Sequence, residues 1–281
     1  MKKLILLFSF FLLIVNNLFL SQRVSARELV IPFLDYPNIK EYSKPDRTNQ
    51  ITNEIISVEG KEYNIDYSWK SAEIYTPENN LNKKIENIKF EKKFPVLILM
   101  HGCTGINADI RLWASFFNSI GFVVILPNSM EIPGRGQWCN EMLKEFDMNK
   151  VGVAYKVRSA EASYVMEKIQ NFSWVDKKNI FIMGHSEGGL ASYFVTDERY
   201  NGIIFSGNPC KISHYMYNSK IPILAINWTN DTWVAHMGLC KDNWGQQKNA
   251  TQILLEGKGH VTVHHQVAKD SVKEFIAKNK K

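Results

Sequence analysis

The sequence predicts an α/β protein in which a mostly parallel β-sheet has helices on both faces. From Pro95 onward, short apolar runs alternate with longer segments of helical periodicity, which is the pattern of β-α-β units. One of these runs passes through a serine flanked by glycines directly into a helical segment. The composition, with 45% hydrophobic and 22% charged residues, is that of a foldable globular protein rather than of a disordered chain or a coiled coil.

Six apolar runs are predicted as strands and four longer segments as helices. The strands are residues 96–100, 122–126, 180–183, 202–205, 221–226 and 252–255. The helices are residues 108–120, 151–170, 188–196 and 262–278. Upstream, residues 54–59 and 71–75 alternate like antiparallel strands that could open the sheet, and residues 76–93 are predicted as a solvated loop. The charged residues of the second helix form its predicted polar face: Lys156, Arg158, Glu161 and Lys168.

The N-terminal 26 residues are predicted to be a cleaved signal peptide. Two lysines precede a mostly apolar stretch from Leu4 to Leu20, and small residues follow at positions 24–26. The alternative is an uncleaved anchor, but Asn16 and Asn17 interrupt a stretch of only about 17 residues, which is marginal for crossing a bilayer. We therefore expect a secreted or periplasmic protein without stable membrane insertion.

The rest of the chain, residues 27–281, is expected to form a single domain. A chain of that length buries about 70–75% of its extended surface, enough for one core. The formal charge of +6 includes three basic residues of the leader, so 31 basic and 28 acidic residues remain, with no run of five or more Lys and Arg. A nucleic-acid partner is therefore not expected.

Export makes the four cysteines candidates for disulfides, with three possible connectivities. They are Cys103, Cys139, Cys210 and Cys240. None of the pairs has the C-x-x-C spacing of a zinc or redox site, so structural bridging is favoured over metal binding.

The sequence GHSEGG, residues 184–189, predicts a nucleophilic serine. A strand, G-x-S-x-G and a helix follow one another, so Ser186 would project from a tight turn at the carboxyl end of the sheet. Gly184 and Gly188 lack a Cβ and so allow strand and helix to pack closely. The helix N-terminus would favour developing negative charge. The alternative is a glycine-rich loop with an incidental serine.

A serine hydroxyl needs a base, and the base needs an orienting acid, in the chain order Ser, acid, His. Asp231 follows the run 221–226 and is the predicted acid, although it could simply form a turn in Asn230-Asp231-Thr232. Asp242 is the reserve. His260 lies in a glycine-flanked loop after the last strand and is the predicted base.

The remaining histidines have weaker contexts. His264 and His265 are expected on the final helix as surface or packing residues. A metal site of His260 with His264 lacks an HExxH motif or a nearby ligand set, so no metal or cofactor is expected. His214 and His236 have no motif around them, and either could line the pocket.

Two backbone amides are predicted to stabilise the oxyanion of the reaction. One belongs to Glu187, the residue after the nucleophile. The other belongs to Cys103 in HGCTG, residues 101–105, which directly follows the strand at 96–100.

Together these motifs resemble the α/β-hydrolase family and, within it, the dienelactone hydrolase-like group. The resemblance extends from about Tyr67 to the C-terminus, through HGCTG, GFVVILPNS (residues 121–129), PGRG (residues 133–136) through Cys139, and GHSEGG. It implies an eight-stranded, mostly parallel sheet and cofactor-free hydrolysis of esters or similar acyl bonds. The enzyme that names the group uses a cysteine nucleophile, whereas Ser186 stands here, so a serine carboxylesterase-like activity fits better.

The strand order implied by this resemblance also suggests the disulfide pairings Cys103–Cys139 and Cys210–Cys240. Two loops, residues 130–149 and 228–244, bring Trp228 and Trp244 to the rim together with the three predicted substrate-binding residues. These are Arg135, which could hold a carboxylate, and Trp138 and Trp233, which could grip an apolar group. The alternative is that the tryptophans pack loops onto the sheet.

The resulting hypothesis is an exported serine hydrolase acting on a small-molecule ester through an acyl-enzyme, with its oligomeric state open. One alternative is an oligopeptidase-like amide hydrolase, although the chain has no room for the access-restricting domain of such enzymes. Another is a non-catalytic binding protein on the same fold, although none of the predicted triad positions is substituted.

Overall fold

The computed structural model describes residues 54–77, 85–136, 148–193, 195, 197–208, 220–231 and 248–281. The signal peptide predicted over residues 1–26 lies outside these ranges and stays a prediction. None of the helices in the described ranges combines the length and the apolar character that crossing a bilayer requires.

Nine strands and five α-helices make up the described structure. The strands are β1 (Ile55–Val58), β2 (Lys61–Asn64), β3 (Glu73–Tyr75), β4 (Phe94–Met100), β5 (Val123–Leu126), β6 (Val175–His185), β7 (Gly202–Ser206), β8 (Ile223–Asp231) and β9 (Ala250–Gly259). The helices are α1 (Asp66–Lys70), α2 (Ala108–Ser119), α3 (Met148–Ile169), α4 (Glu187–Tyr193) and α5 (Gln266–Asn279). Single 3₁₀ turns occur at Ile85–Asn87 and Ser129–Glu131.

The main sheet has the strand order β3-β5-β4-β6-β7-β8-β9. Only β3 runs antiparallel, against β5, and all the other neighbours are parallel. The predicted α/β class with a mostly parallel sheet is therefore confirmed. The described part of the chain contains seven strands of this sheet, whereas the resemblance implies eight.

Strand alternation divides the core between the two faces of the sheet. In β4, Val96 and Ile98 belong to the apolar cluster that α3 and α4 cover. Leu97 and Leu99 belong to the opposite cluster, which α2 and α5 cover. Because successive side chains of a strand point to opposite faces, a strand buried on both sides has to be apolar throughout, as β4 is.

The first predicted strand does not open the main sheet. Residues 54–59 instead contribute β1, which pairs only with β2 in a separate hairpin. Glu59 and Gly60 have positive φ angles of 52° and 76°, and this tight turn reverses the chain before it can reach the sheet. Residues 71–75 do join the main sheet, as β3.

Other differences concern the ends of elements. Strands β8 and β9 continue through polar residues beyond their apolar runs, because pairing with each other extends their ladder as far as Asp231 and Gly259. The last helix begins at Gln266, so the expectation that His264 and His265 lie on it is wrong. The segment predicted as a solvated loop includes the 3₁₀ turn, where Ile85 is buried.

Candidate active site

Ser186 occupies a strained turn between β6 and α4. Its φ of 53° is left-handed, a conformation that costs a non-glycine residue energy and persists only where the surroundings enforce it. Two glycines allow the close backbone packing of the turn. A Cβ on Gly184 would lie 2.0 Å from the carbonyl oxygen of Gly188, and a Cβ on Gly188 would lie 2.2 Å from that of Met100. The turn has no room for side chains at either position.

The predicted acid and base are in contact at the carboxyl ends of β8 and β9. Nδ1 of His260 lies 3.0 Å from each carboxylate oxygen of Asp231, whose side chain is 1% exposed. Parallel pairing of β8 and β9 places Asp231 opposite Gly259. His260, the residue after Gly259, therefore contacts the carboxylate of Asp231. With Nδ1–H donating to Asp231, Nε2 keeps its lone pair and can accept a proton.

His260 also lies beside the serine turn. A Cβ on Gly207 would lie 3.0 Å from Nδ1 of His260, and the backbone N–H of Ser186 donates to the carbonyl oxygen of Ser206 over 2.9 Å. The rings of His260 and His185 are 4.8 Å apart between centroids. Within the described ranges the Ser186 hydroxyl makes no hydrogen bond; such bonds are often long in unliganded enzymes.

The two predicted oxyanion donors border the same serine. Glu187 is the first residue of α4, where a backbone N–H has no partner within the helix. Cys103 lies in a turn after β4 in which the N–H of Gly105 donates to the carbonyl oxygen of Gly102 over 3.1 Å. A Cβ on Gly102 would be 3.4 Å from Cβ of Ser186, so this turn packs against the predicted nucleophile.

Four charged residues form a buried ion quartet beneath these donors: Arg135, Arg158, Glu161 and Glu187. Arg135 pairs with Glu187, and Arg158 pairs with Glu161 and approaches Glu187 to 3.6 Å. Their side chains are between 0% and 4% exposed. Burial raises the pKa of Glu161, against the opposing effect of Arg158, and burial lowers that of Arg135.

The quartet changes two sequence interpretations. Arg158 and Glu161 do not lie on a solvent-exposed polar face. Both side chains are fully buried, and Arg158 contacts the loop after β4 and the first residue of α4. The sequence signal for this burial was that Arg158 and Glu161, which carry opposite charges and are three residues apart, stand between apolar residues. Arg135, predicted to hold a substrate carboxylate, is shielded from solvent and already pairs with Glu187.

Two further histidines near the site are held neutral. Nε2 of His101 accepts from the backbone N–H of Ser129 over 3.1 Å, so Nδ1 carries the proton and donates to the Gly102 carbonyl oxygen. Burial and the charge of Arg158 keep the pKa of His101 well below its usual value. For His185, burial and the neighbouring His260 lower the pKa to about 3.

Trp228, His264 and His265 have structural partners. The indole N–H of Trp228 donates to the carbonyl oxygen of Val261 over 2.9 Å, and its ring packs on Gly259, which steadies the loop that carries His260. His264 pairs with Asp109 at 2.8 Å, and His265 makes an edge contact with Trp228. The described ranges contain no group of three His, Cys, Asp or Glu residues that could hold a metal ion.

Cys103 lies in the described turn after β4, whereas the other three cysteines lie outside the described residues. The pairing with Cys139 therefore stays a prediction. Several other predicted residues also lie outside the described ranges: Trp138, Cys139, Cys210, His214, Trp233, His236, Cys240, Asp242 and Trp244.

Comparison with solved structures identifies the fold. Est1E from Butyrivibrio proteoclasticus, also known with ferulic acid bound, matches with a TM-score of 0.53 and 16% identity over 80% of this chain and 97% of that chain. A cold-adapted esterase from an Arctic intertidal metagenomic library gives 0.53 and 13%, covering 81% and 92%. A putative dienelactone hydrolase from Klebsiella pneumoniae gives 0.51 and 15%, covering 67% and 88%.

These similarities show that the chain has the α/β-hydrolase fold, as the motifs predicted. Neither the protein-family models nor the curated proteins include a match to the chain.

Proposed function

We propose that this protein is a serine hydrolase that cleaves carboxylic or related acyl esters through Ser186, His260 and Asp231. The observation that carries the proposal is the contact of Nδ1 of His260 with both carboxylate oxygens of Asp231, at the sheet edge where Ser186 stands on a left-handed turn. The fold, shared with an esterase and a putative dienelactone hydrolase, supports it.

In the proposed reaction, Nε2 of His260 takes the proton from Oγ of Ser186 as that oxygen attacks the ester carbonyl carbon. The amides of Cys103 and Glu187 donate to the oxyanion of the tetrahedral intermediate. The imidazolium then protonates the departing alcohol, which leaves an acyl-serine. Water, deprotonated by His260, attacks the acyl carbon, and collapse of the second tetrahedral intermediate returns the proton to Ser186. Asp231 stays ionised throughout and stabilises the imidazolium.

The proposed substrate is a small-molecule ester. The bound ferulic acid in Est1E supports a small carboxylic acid as the acyl half, because that neighbour shares the fold over most of both chains. The sequence alternative of an amide hydrolase is tested by the same assay, since the triad chemistry serves both bonds.

We further propose that the enzyme is exported after cleavage behind Ala26 and that disulfides Cys103–Cys139 and Cys210–Cys240 form outside the cell or in the periplasm. The apolar leader that ends in small residues supports export, and four cysteines in an exported chain support disulfides. Intact mass and a non-reducing peptide map of the exported protein test it. Four free thiols, or a retained leader, would contradict it.

The catalytic proposal is tested with a fluorophosphonate probe and a series of p-nitrophenyl esters. The wild type should be labelled and should turn over the esters, and Ser186→Ala should do neither. Ser163→Ala is the matched control, because it removes a hydroxyl that donates only to the carbonyl oxygen of Ser159 on α3. Equal labelling of the wild type and Ser186→Ala would refute the proposal. Faster cleavage of peptides than of esters would favour the amide hydrolase, and absence of any turnover would favour a binding protein.

A further inference from the structure

Arg158 touches both halves of the proposed oxyanion hole. Its Nη2 donates to the carbonyl oxygen of His101 over 2.8 Å, two residues before Cys103. Its Nε lies 3.6 Å from Oε1 of Glu187, the residue that supplies the other amide. One side chain on α3 therefore links the loop after β4 to the start of α4.

The two halves are also in direct contact, so their spacing is sensitive to this link. A Cβ on Gly188 would lie 2.6 Å from the carbonyl oxygen of His101, which means that α4 rests on the backbone of the first loop. A shift of either segment would move one amide relative to the other. Amide donors work only when they sit about 2.7–3.1 Å from the position of the oxyanion.

Arg158 is itself fixed from the side away from the site. Its Nη1 pairs with Glu161, one turn along α3, and the hydroxyl of Ser68 donates to the other oxygen of that carboxylate. Arg135 holds Glu187 from the loop after β5. The guanidinium of Arg158 thus has a backbone carbonyl and two carboxylates around it, an arrangement suited to its planar, forked set of donors.

Stability alone does not account for this arrangement. A buried ion pair replaced by apolar side chains of similar volume is often neutral or stabilising, because removing the charges from water is so costly. Here four charges are buried together and contact the two segments that carry the amides.

We propose that Arg158 is a positioning residue that sets the spacing of the Cys103 and Glu187 amides. The inference rests on the proposed hydrolase function, and Arg158 acts through those amides without touching the substrate. Arg135 supports the same arrangement by holding the side chain of Glu187.

The test is Arg158→Lys, which keeps the charge next to Glu161 but whose single ammonium cannot span both other partners. We expect kcat for p-nitrophenyl esters to fall about 10- to 100-fold, less than the loss of a whole oxyanion donor, with KM changed less than about 3-fold. The inhibition constant of phenylboronic acid, whose tetrahedral serine adduct places an oxygen between the amides, should rise by a similar factor. The matched control is Arg199→Lys in the segment before β7, which alters ion pairs with Asp197 and Glu167 and leaves the contacts of Arg158 in place.

Four outcomes would overturn the inference: a wild-type kcat in Arg158→Lys, a change confined to KM, unchanged boronate inhibition, or an equal loss of activity in Arg199→Lys. If Arg158→Lys does not fold, Glu187→Gln takes its place, because glutamine is isosteric with glutamate and removes the charge that attracts Arg158. The same fall in kcat with little change in KM is expected. Wild-type esterase activity that Ser186→Ala abolishes, combined with any of these outcomes, would leave the proposed function intact. A wild type without turnover would end both.

Discussion

His185 should make the folded protein increasingly unstable in acid. Its imidazole is buried at the sheet edge, faces His260 and Asp231, and has Nδ1 2.9 Å from the Ser206 hydroxyl. Burial lowers the pKa of His185 to about 3, and the positive charge of a protonated His260 acts in the same direction because like charges repel. In the unfolded chain His185 has the ordinary histidine pKa of about 6.5. Between that pH and about 3, position 185 is therefore protonated in the unfolded chain and neutral in the folded chain.

The sign and size follow from that difference. Between pH 6.5 and pH 3 the unfolded state holds more protons, so the free energy of unfolding falls as the pH falls, by about 1.4 kcal/mol per unit. At pH 7 the contribution is close to zero, and at pH 4.5 it reaches about 3 kcal/mol. Above pH 6.5 both states are neutral at this position and the effect is absent.

Urea unfolding of the wild type and His185→Asn at pH 7 and pH 4.5 measures the effect. The variant has no imidazole to protonate there, so its stability should decline by about 3 kcal/mol less over this interval. Ser206→Ala is the control, because it removes the hydrogen-bond partner and keeps the buried ring; it should lose about 1 kcal/mol at both pH values and retain the wild-type slope. Parallel pH profiles for the wild type and His185→Asn would refute the reasoning.

Three further substitutions address the site. Asp231→Asn should lower kcat for p-nitrophenyl esters about 10⁴-fold through the wrong histidine tautomer, and a loss of less than about 10-fold would contradict the assigned acid. Gly188→Ala places a Cβ 2.2 Å from the carbonyl oxygen of Met100, so soluble expression or fluorophosphonate labelling should be lost, and normal labelling would show that the turn can relax. Trp228→Phe removes the bond to Val261 and should reduce kcat with KM nearly unchanged; an unchanged kcat would show that the His260 loop needs no such support.

The sequence predicted the parts of this protein that depend on local pattern. Alternating strands and helices give a parallel sheet whose carboxyl ends share one edge, and residues following those strands therefore meet there. That is why Ser186, Asp231 and His260 could be selected from three distant segments, and the structure brings the segments together. The fold itself is confirmed by solved structures of low sequence identity.

The parts that were missed depend on tertiary contacts. A helical wheel assigns charged residues to solvent, so it cannot reveal that Arg158 and Glu161 neutralise each other inside the protein. The hairpin of β1 and β2 depends on a left-handed Glu59, a residue type without a strong preference for that conformation. The polar ends of β8 and β9 are strand because the two strands pair with each other there, and the residues of one strand alone do not reveal that pairing.

The left-handed backbone at Ser186 also limits which nucleophiles this scaffold can accept. Threonine offers the same hydroxyl, but its branched Cβ makes a φ of 53° severely unfavourable. Threonine is therefore excluded from the turn. Cysteine is unbranched and fits the same backbone. The geometry therefore allows exchange between oxygen and sulfur chemistry by a single substitution, while it prevents exchange between the two alcohols.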